Sequence, residues 1–246
     1  RRKAAGKQGK ARLSLCFFHK ASRETGPCGG RGGVVYWGKT SRQEENGMET
    51  RRIPVEEARK LAERGKRVVL VDTDLRRSRM VSTYGVKFPQ DSKKYGLSHY
   101  LAGIAEQDEV LYKTNVAGMD FVPVGRELLN PLPLLVSNRF QALLDRLAEA
   151  YDYVIVDAAP VGVVIDAAEI AKYCDGILLV VSYNQVHRQE LIEAKAQLEH
   201  SGCPILGTIL NQVDYDGFTS KKYYYKSHYS NYYKAYEKGA DEEKKG

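Results

Sequence analysis

The chain has 246 residues, of which 43% are hydrophobic and 28% charged, so it is long enough to fold around one large α/β core. No apolar run approaches the ~18 residues that a membrane helix needs, and no secretory signal pattern is visible, which excludes a spanning helix within this sequence. The four cysteines (Cys16, Cys28, Cys174 and Cys203) have no metal-ligand spacing, and they indicate free thiols in a reducing compartment.

The net charge of +7 is concentrated near the amino terminus. Residues 1–52 hold 13 Lys/Arg and 4 Asp/Glu, a local charge of +9, whereas residues 53–246 hold 25 and 27, a net charge of −2. The first segment is rich in Gly, Ser, Arg and Lys and has weak periodicity, so we expect a mostly disordered leader. A basic arm can touch nucleic acid or anionic lipid, but a solvated arm fits its composition better, and no nucleic-acid partner is expected.

One phosphate-binding pattern lies inside this leader. The stretch GVVYWGKT matches G-x-x-x-x-G-K-[ST], in which Gly33, Gly38, Lys39 and Thr40 would bind a nucleotide. A working loop of this kind follows an apolar strand and opens an apolar-periodic helix. Residues 19–32 contain no such strand, and the segment after Thr40 is polar, so a working loop and a chance match both stay open.

From Ile53 onward the apolar pattern alternates between the periods of helices and strands. This alternation predicts an α/β fold, with a doubly wound and mostly parallel sheet and helices on both faces, over a domain spanning residues 53–214. A polar, basic loop is expected up to Lys94. Helices are expected over 53–64, 97–102, 137–147, 166–173 and 187–200, and strands over 68–72, 119–122, 151–157, 176–182 and 205–210.

Carboxylates end two of the predicted strands. The first strand ends in Asp72 and Asp74 with Arg76 and Arg77 close behind, and the strand over 151–157 ends in Asp157. Ligands of open α/β sheets bind beyond the carboxyl ends of the strands. Because carboxylates suit Mg²⁺ and guanidiniums suit phosphate, a magnesium-phosphate site is predicted at this edge. An ordinary strand that leaves into a solvated loop is the plainer alternative.

The carboxyl-terminal segment, residues 215–246, is expected to be a tyrosine-rich tail without a core of its own. Its stretch 223–236 reads YYYKSHYSNYYKAY and contains seven tyrosines among Lys, Ser and Asn. Such a segment cannot bury enough apolar surface to order itself. Base stacking, phosphorylation of the phenols and a merely adhesive tail are the three alternatives.

Three stretches together resemble a known family: VVLVDTDLRR (68–77), YDYVIVDAAPVGVVIDA (151–167) and the terminal tyrosine cluster. They are similar to the cytoplasmic catalytic domain of bacterial tyrosine kinases of capsular and exopolysaccharide synthesis, within the MinD/Mrp-like deviant P-loop NTPases. The resemblance covers about residues 58–236. It implies a P-loop NTPase-like fold, ATP and Mg²⁺ as cofactors, and autophosphorylation that regulates polysaccharide synthesis and export.

The resemblance also implies roles for individual residues. Asp72 would lie near the tyrosine hydroxyl and the metal and act as the base, while Asp74 and Asp157 would complete the Mg²⁺ shell. Arg76 and Arg77 would neutralise developing phosphate charge.

Two further parts of the site follow from the family pattern. Asn211, after the fourth predicted buried strand, would lie against adenine. The acceptors would be offered between neighbouring subunits of a homo-oligomer, and they are Tyr223, Tyr224, Tyr225, Tyr229, Tyr232, Tyr233 and Tyr236. The resemblance implies two partners, a membrane-embedded activator or polysaccharide co-polymerase and a cognate tyrosine phosphatase. The activator would hold the chain at the cytoplasmic face of the membrane.

The chain departs from the family pattern near its amino terminus. The family's lysine should precede the acidic motif by ~20–25 residues, near Thr50, whereas Lys39 lies 33 residues before Asp72. The family's Glu/Arg oligomerisation motif is not recognisable, and Ala158-Ala159-Pro160 replaces a threonine and paired prolines. A disrupted reading frame over residues 1 to about 53 is one interpretation. A defective relative that serves as scaffold or phosphoacceptor, and a MinD/ParA-type ATPase, therefore remain alternatives.

Overall fold

The structure, a computed structural model, describes residues 53–90, 92–161, 165–183 and 185–213, together with the backbone of two strands at 13–20 and 34–35. The chain separates into two compact units, Arg1–Gln212 and Val213–Gly246. Apart from Val213, the described residues lie in the first unit. The predicted domain boundaries after residues 52 and 214 stay predictions.

The described strands form one sheet. They are β1 (Leu13–Lys20), β2 (Val34–Val35), β3 (Val68–Asp72), β4 (Tyr112–Thr114), β5 (Met119–Val122), β6 (Tyr153–Ala158), β7 (Gly176–Ser182) and β8 (Ile205–Asn211). Their order across the sheet is β2-β4-β5-β3-β6-β1-β7-β8.

Most of these strands run in one direction. β3 is parallel to β5 and to β6, and β7 is parallel to β8. β1 is antiparallel to both of its neighbours, β6 and β7. β4 is antiparallel to β5, and β2 runs parallel to β4 at the edge of the sheet. The predicted mostly parallel sheet is confirmed, with three strands reversed.

Helices pack on both faces of the sheet. They are α1 (Ile53–Glu63), α2 (Met80–Thr83), α3 (Leu97–Leu101), α4 (Gln107–Val110), α5 (Leu132–Leu135), α6 (Asn138–Ala150), α7 (Asp166–Ala171) and α8 (Arg188–Glu199). Ser137 caps α6 as predicted, because its hydroxyl accepts the N–H of Phe140 at 3.3 Å.

The two faces of β3 explain why its sequence is apolar throughout. Val69 and Val71 pack into one core with residues of α6, whereas Val68 and Leu70 pack into a second core with residues of α1. All four side chains are fully buried. A strand covered on both faces needs apolar residues at every position, and this requirement produced the continuous run in the sequence.

The loop expected to run up to Lys94 is partly wrong. α2 lies inside it at Met80–Thr83, and Met80 and Tyr84 are buried in the α1-side core. The short elements α4, β4 and α5 were also missed. Each has only three or four residues, too few to show a period, so tertiary packing rather than local pattern decides them.

Two strands lie within the leader, which was expected to be mostly disordered. β1 enters the middle of the sheet, where Cys16 pairs with Asp157 of β6 on one side and with Leu178 of β7 on the other. β2 lies at the far edge beside β4. Their neighbours in sequence lie outside the described residues. Among the described residues, no helix is both long enough and apolar enough to cross a bilayer.

Candidate active site at the carboxyl edge of the sheet

The structure brings Asp72 and Asp157 together. They are register partners at the carboxyl ends of the parallel strands β3 and β6, so their backbones lie about 4.8 Å apart. Side-chain alternation along both strands places the two carboxylates on the face that packs against α1. Asp72 is fully buried and Asp157 is 4% exposed. Buried carboxylates require charge-compensating partners, and an adjacent pair of them is suited to a cation.

The loop after β3 folds back over the end of β6. The N–H and the hydroxyl of Thr73 both donate to the carbonyl oxygen of Asp157, each at 2.8 Å. The N–H of Asp74 donates to Asp72 Oδ1 at 3.3 Å, and Asp74 Oδ1 accepts the N–H of Arg77 at 3.1 Å. These bonds hold Asp74, which is 8% exposed, at the same edge as the carboxylate pair.

A serine that the sequence analysis did not single out orients the first of these carboxylates. The hydroxyl of Ser78 donates to Asp72 Oδ2, and Ser78 Oγ accepts the N–H of Met80 at 3.2 Å. Both oxygens of Asp72 therefore have donors from its own loop. No sequence signal pointed to Ser78, because a serine six positions after an aspartate is not a recognised pattern for a site.

Arg76 is held by an ion pair with Asp166. Its Nε and Nη2 donate to the two carboxylate oxygens of Asp166 at 2.6 and 3.1 Å, and its Nη1 donates to the carbonyl of Leu129 at 2.9 Å. The hydrogen bond to Asp166 is the main cause that raises the pKa of Arg76, and the charge of Asp74 adds to it. The sequence analysis predicted Asp166 only as the first residue of a helix. Acidic residues are common in first helical turns, so nothing in the sequence distinguished it.

Asn211 lies at the same edge but not beside the carboxylates. It ends β8 and pairs with Ser182 of β7, so β1 and β7 separate it from β6 by about 14 Å across the sheet. Its Oδ1 accepts the N–H of Gln212 at 2.9 Å. Its assignment to adenine stays a prediction.

One described strand lies inside the GKT motif. Gly33, Gly38, Lys39 and Thr40 lie outside the described residues, but β2 falls within the motif. β2 runs opposite to β3, so its carboxyl end at Val35 points toward the amino end of β3. The assignment of these four residues to the nucleotide stays a prediction.

The seven predicted acceptor tyrosines belong to the carboxyl-terminal segment of the chain. Tyr223, Tyr224, Tyr225, Tyr229, Tyr232, Tyr233 and Tyr236 all lie outside the described residues. Their role as phosphoacceptors stays a prediction.

The donor set at the carboxyl edge fits Mg²⁺. Within the described ranges, no group of three His, Cys, Asp or Glu side chains forms a ready-made metal cage. Mg²⁺ does not need one, because it is usually bound by one or two carboxylates together with water and substrate phosphates. Asp72 and Asp157 supply neighbouring carboxylates of this kind.

The carboxylates at this edge lie within a stretch of the chain that matches a known family. Residues 50–197, more than half of the chain, match the family described as AAA domain. Over 154 residues the chain is 38% identical to tyrosine-protein kinase CpsD of Streptococcus agalactiae serotype III (strain NEM316). The aligned residues make up 63% of this chain and 65% of that protein. The chain therefore spans slightly less than two thirds of that relative's length.

Two further likenesses cover a larger share of the matched proteins. Over 175 residues the chain is 36% identical to tyrosine-protein kinase CpsD of Streptococcus pneumoniae, covering 71% of this chain and 74% of that protein. The kinase domain of Escherichia coli tyrosine kinase ETK superposes with a TM-score of 0.60 and 30% identity, over 74% of this chain and 68% of that chain. Asp72, Asp74, Asp157 and Asp166 all lie within the residues that match the family.

Proposed function

We propose that the chain is an ATP-dependent autokinase acting on its own tyrosine-rich tail. The chain belongs to the AAA-domain family and to the bacterial tyrosine-protein kinases, as the two sets of matches show. The observation that carries this proposal is the pairing of Asp72 with Asp157 at the carboxyl ends of β3 and β6. Both carboxylates are buried, lie on the same face and belong to the stretch that matches the family. Phosphoryl transfer depends mainly on positioning and on charge stabilisation, which such an edge can provide.

Each carboxylate has a distinct role in this proposal. Asp72 accepts the proton of the incoming tyrosine hydroxyl, since its orientation is set by Ser78 and by the N–H of Asp74. Asp74 and Asp157 would complete the shell of an Mg²⁺ ion that also lies near Asp72. The ion would neutralise the phosphate charge. The hydrogen bonds from Thr73 to the carbonyl of Asp157 keep the two strand ends in register during the reaction.

The proposed substrate is the tail of a neighbouring copy in a homo-oligomer. The seven tyrosines between residues 223 and 236 would be the acceptors. By analogy with the relatives named CpsD, the setting is capsular or exopolysaccharide biosynthesis. There the chain would be cytoplasmic, work at the membrane through an embedded activator or co-polymerase, and be reset by a tyrosine phosphatase.

Mapping of phosphotyrosine tests this function. The full chain is incubated with ATP, Mg²⁺ and a cytoplasmic fragment of the activator, and modified residues are identified by mass spectrometry. We expect phosphate on tyrosines of the 223–236 stretch, and its loss when all seven are changed to phenylalanine. Absence of phosphotyrosine in the presence of the activator, or phosphate only outside the tail, would overturn the proposal.

One observation favours a second function, that of a scaffold or phosphoacceptor without kinase activity. A P-loop follows the carboxyl end of a strand and therefore needs that end at the carboxylate edge. β1 occupies the sheet position between β6 and β7 but runs the other way, so that Lys20 pairs with Tyr153 at the amino end of β6. The chain leaves β1 at the edge opposite to Asp72 and Asp157.

Calorimetric titration with ATP and Mg²⁺ separates the two functions. The scaffold function predicts no saturable Mg²⁺-dependent binding by the full chain. Tight binding that is lost in Lys39→Ala would reject it and would assign the GKT motif to the phosphate. Tight binding that is unchanged in Lys39→Ala would also reject it, and would assign the phosphate to residues outside that motif.

A further inference from the structure

The two arginines after the acidic motif have different surroundings. Arg76 uses three nitrogen atoms in hydrogen bonds, two to Asp166 and one to the carbonyl of Leu129. Its side chain is 30% exposed and that of Asp166 is 2% exposed. The geometry is a bidentate guanidinium–carboxylate pair, which is both strong and directional. A buried carboxylate such as Asp166 depends on such a partner, because an unpaired buried charge is strongly destabilising.

Arg76 connects three segments that are distant in sequence. It follows the carboxylate-bearing end of β3, its partner Asp166 begins α7, and Leu129 lies in the segment before α5. A backbone bond between the N–H of Leu128 and the carbonyl of Leu75, at 2.7 Å, joins two of these segments next to the ion pair. The guanidinium therefore fixes the position of the loop that carries Asp74.

Arg77 makes none of these contacts. Its side chain is exposed, and within the described residues its guanidinium forms no hydrogen bond or ion pair. Its backbone N–H donates to Asp74 Oδ1, which anchors the residue beside the carboxylates while its side chain stays available. Arginine is suited to contact phosphate because its donors match phosphate oxygens bidentately.

We infer that the arginine pair is divided in role: Arg76 and Asp166 form a positioning pair that holds the acidic loop, whereas Arg77 is the arginine that contacts the substrate phosphate. The role of Arg77 rests on the proposed kinase function. The role of Arg76 and Asp166 does not, because it follows from contacts within the folded chain.

Denaturant unfolding of the full chain tests the positioning pair. Arg76→Ala and Asp166→Asn are each expected to lower the unfolding midpoint, and the double variant is expected to lower it by clearly less than the sum of the two shifts. Arg77→Ala is the matched control and should unfold at the wild-type midpoint. Additive shifts, or an equal shift in Arg77→Ala, would overturn the pairing.

A milder substitution keeps the test informative if Arg76→Ala or Asp166→Asn does not fold. Arg76→Lys retains the charge but loses the bidentate fork, so we expect its unfolding midpoint to lie between those of the wild type and Arg76→Ala. If Arg76→Ala does not fold, we expect Arg76→Lys to fold and to unfold at a lower midpoint than the wild type. A wild-type midpoint for Arg76→Lys would show that the fork is not needed and would overturn the inference.

Autophosphorylation tests the role of Arg77. We expect Arg77→Ala to lower kcat about 10²–10³-fold at an unchanged unfolding midpoint, with partial recovery in Arg77→Lys. Wild-type kcat in Arg77→Ala would overturn this half of the inference. If the wild-type chain yields no phosphotyrosine, the proposed function fails and the Arg77 assignment fails with it, while the unfolding cycle still decides the role of Arg76 and Asp166.

Discussion

The half of the sheet formed by β3, β5 and β6 is buried almost throughout, whereas β8 alternates between half-buried and exposed residues along its whole length. The first half ends in the carboxylates of the candidate site. The second half contains β7 and β8, with the reversed β1 between them and β6. β7 is buried along nearly its whole length, so the difference in packing lies between β8 and the buried strands β3, β5, β6 and β7. The carboxylates of the candidate site lie at the ends of two of these buried strands, β3 and β6.

Phosphoryl transfer at the edge of a sheet has two structural requirements. The metal and base side needs carboxylates at strand ends, and the family-matched stretch supplies them at residues 72, 74 and 157. The phosphate-binding side needs a loop delivered by the carboxyl end of a strand. β1 precedes the matched stretch and lies between β6 and β7, and its carboxyl end at Lys20 lies at the edge opposite to the carboxylates. The described residues therefore supply the metal and base side of the proposed site.

The largest stability difference is expected between leucine-to-alanine substitutions on β3 and on β8. Leu70 on β3 is fully buried, so Leu70→Ala should lower the free energy of unfolding by about 2–5 kcal/mol. Leu206 on β8 is 61% exposed, so Leu206→Ala should change it by no more than about 0.5 kcal/mol. Denaturant unfolding measures both. Similar losses for the two variants would show that β3 and β8 do not differ in packing.

A smaller effect is expected from proline in β1. Phe17 pairs with Val156 of β6 and with Ile177 of β7, so Phe17→Pro removes a ladder donor in the middle of the sheet. A buried acceptor left without its donor costs about 1–3 kcal/mol. Leu13→Pro is the matched control, because proline is tolerated at the first residue of a strand. Unfolding of Phe17→Pro at the wild-type midpoint would show that β1 does not occupy this position.

The smallest effect concerns the amino ends of β3 and β6. The N–H and the guanidinium of Arg67 bind the carboxylate of Asp152 at 2.8 and 3.1 Å. The backbone bond is the main cause that lowers the pKa of Asp152, and the side chain of Arg67 adds to it. A lowered pKa means that the ionised form stabilises the fold above the unfolded pKa of about 3.9 and that this contribution is lost as the pH falls through the folded pKa.

Asp152→Asn should therefore lower the unfolding midpoint slightly at pH 7. The gap to the wild type should close as the pH falls from about 3.9 through the lowered pKa of folded Asp152, because both side chains are neutral below that pKa. Unfolding curves at a series of pH values measure the gap. A gap that stays constant with pH would mean that the charge of Asp152 contributes nothing.

The sequence predicts the fold best where the burial of an element is uniform or periodic. The strands at 119–122 and 176–182 agree residue for residue with β5 and β7, and α1 and α6 follow their apolar stripes. The prediction fails where local pattern is too short or misleading. α2, α4, α5 and β4 are too short to have a period, and β1 depends on pairing with strands more than 130 residues away in sequence.

The same distinction applies to the candidate site. Asp72 and Asp157 can be found from the sequence because strand ends place them at one edge. Asp166 and Ser78 cannot, because their roles depend on which side chains meet across loops. The division between Arg76 and Arg77 is likewise visible only from contacts, since the two residues are identical and adjacent. Sequence pattern identifies which side chains are near a site, and packing determines which of them are already engaged.

The most direct measurement of the central claim compares the wild type with Asp72→Asn in autophosphorylation with ATP, Mg²⁺ and the activator fragment. Asparagine retains the shape of the side chain but cannot accept the tyrosine proton, so we expect the rate of phosphotyrosine formation to fall about 10²–10⁴-fold. Asp72→Asn must unfold as a single cooperative transition to qualify as a folded comparison. A phosphotyrosine signal in the variant equal to that of the wild type would contradict the assignment of Asp72 as the base.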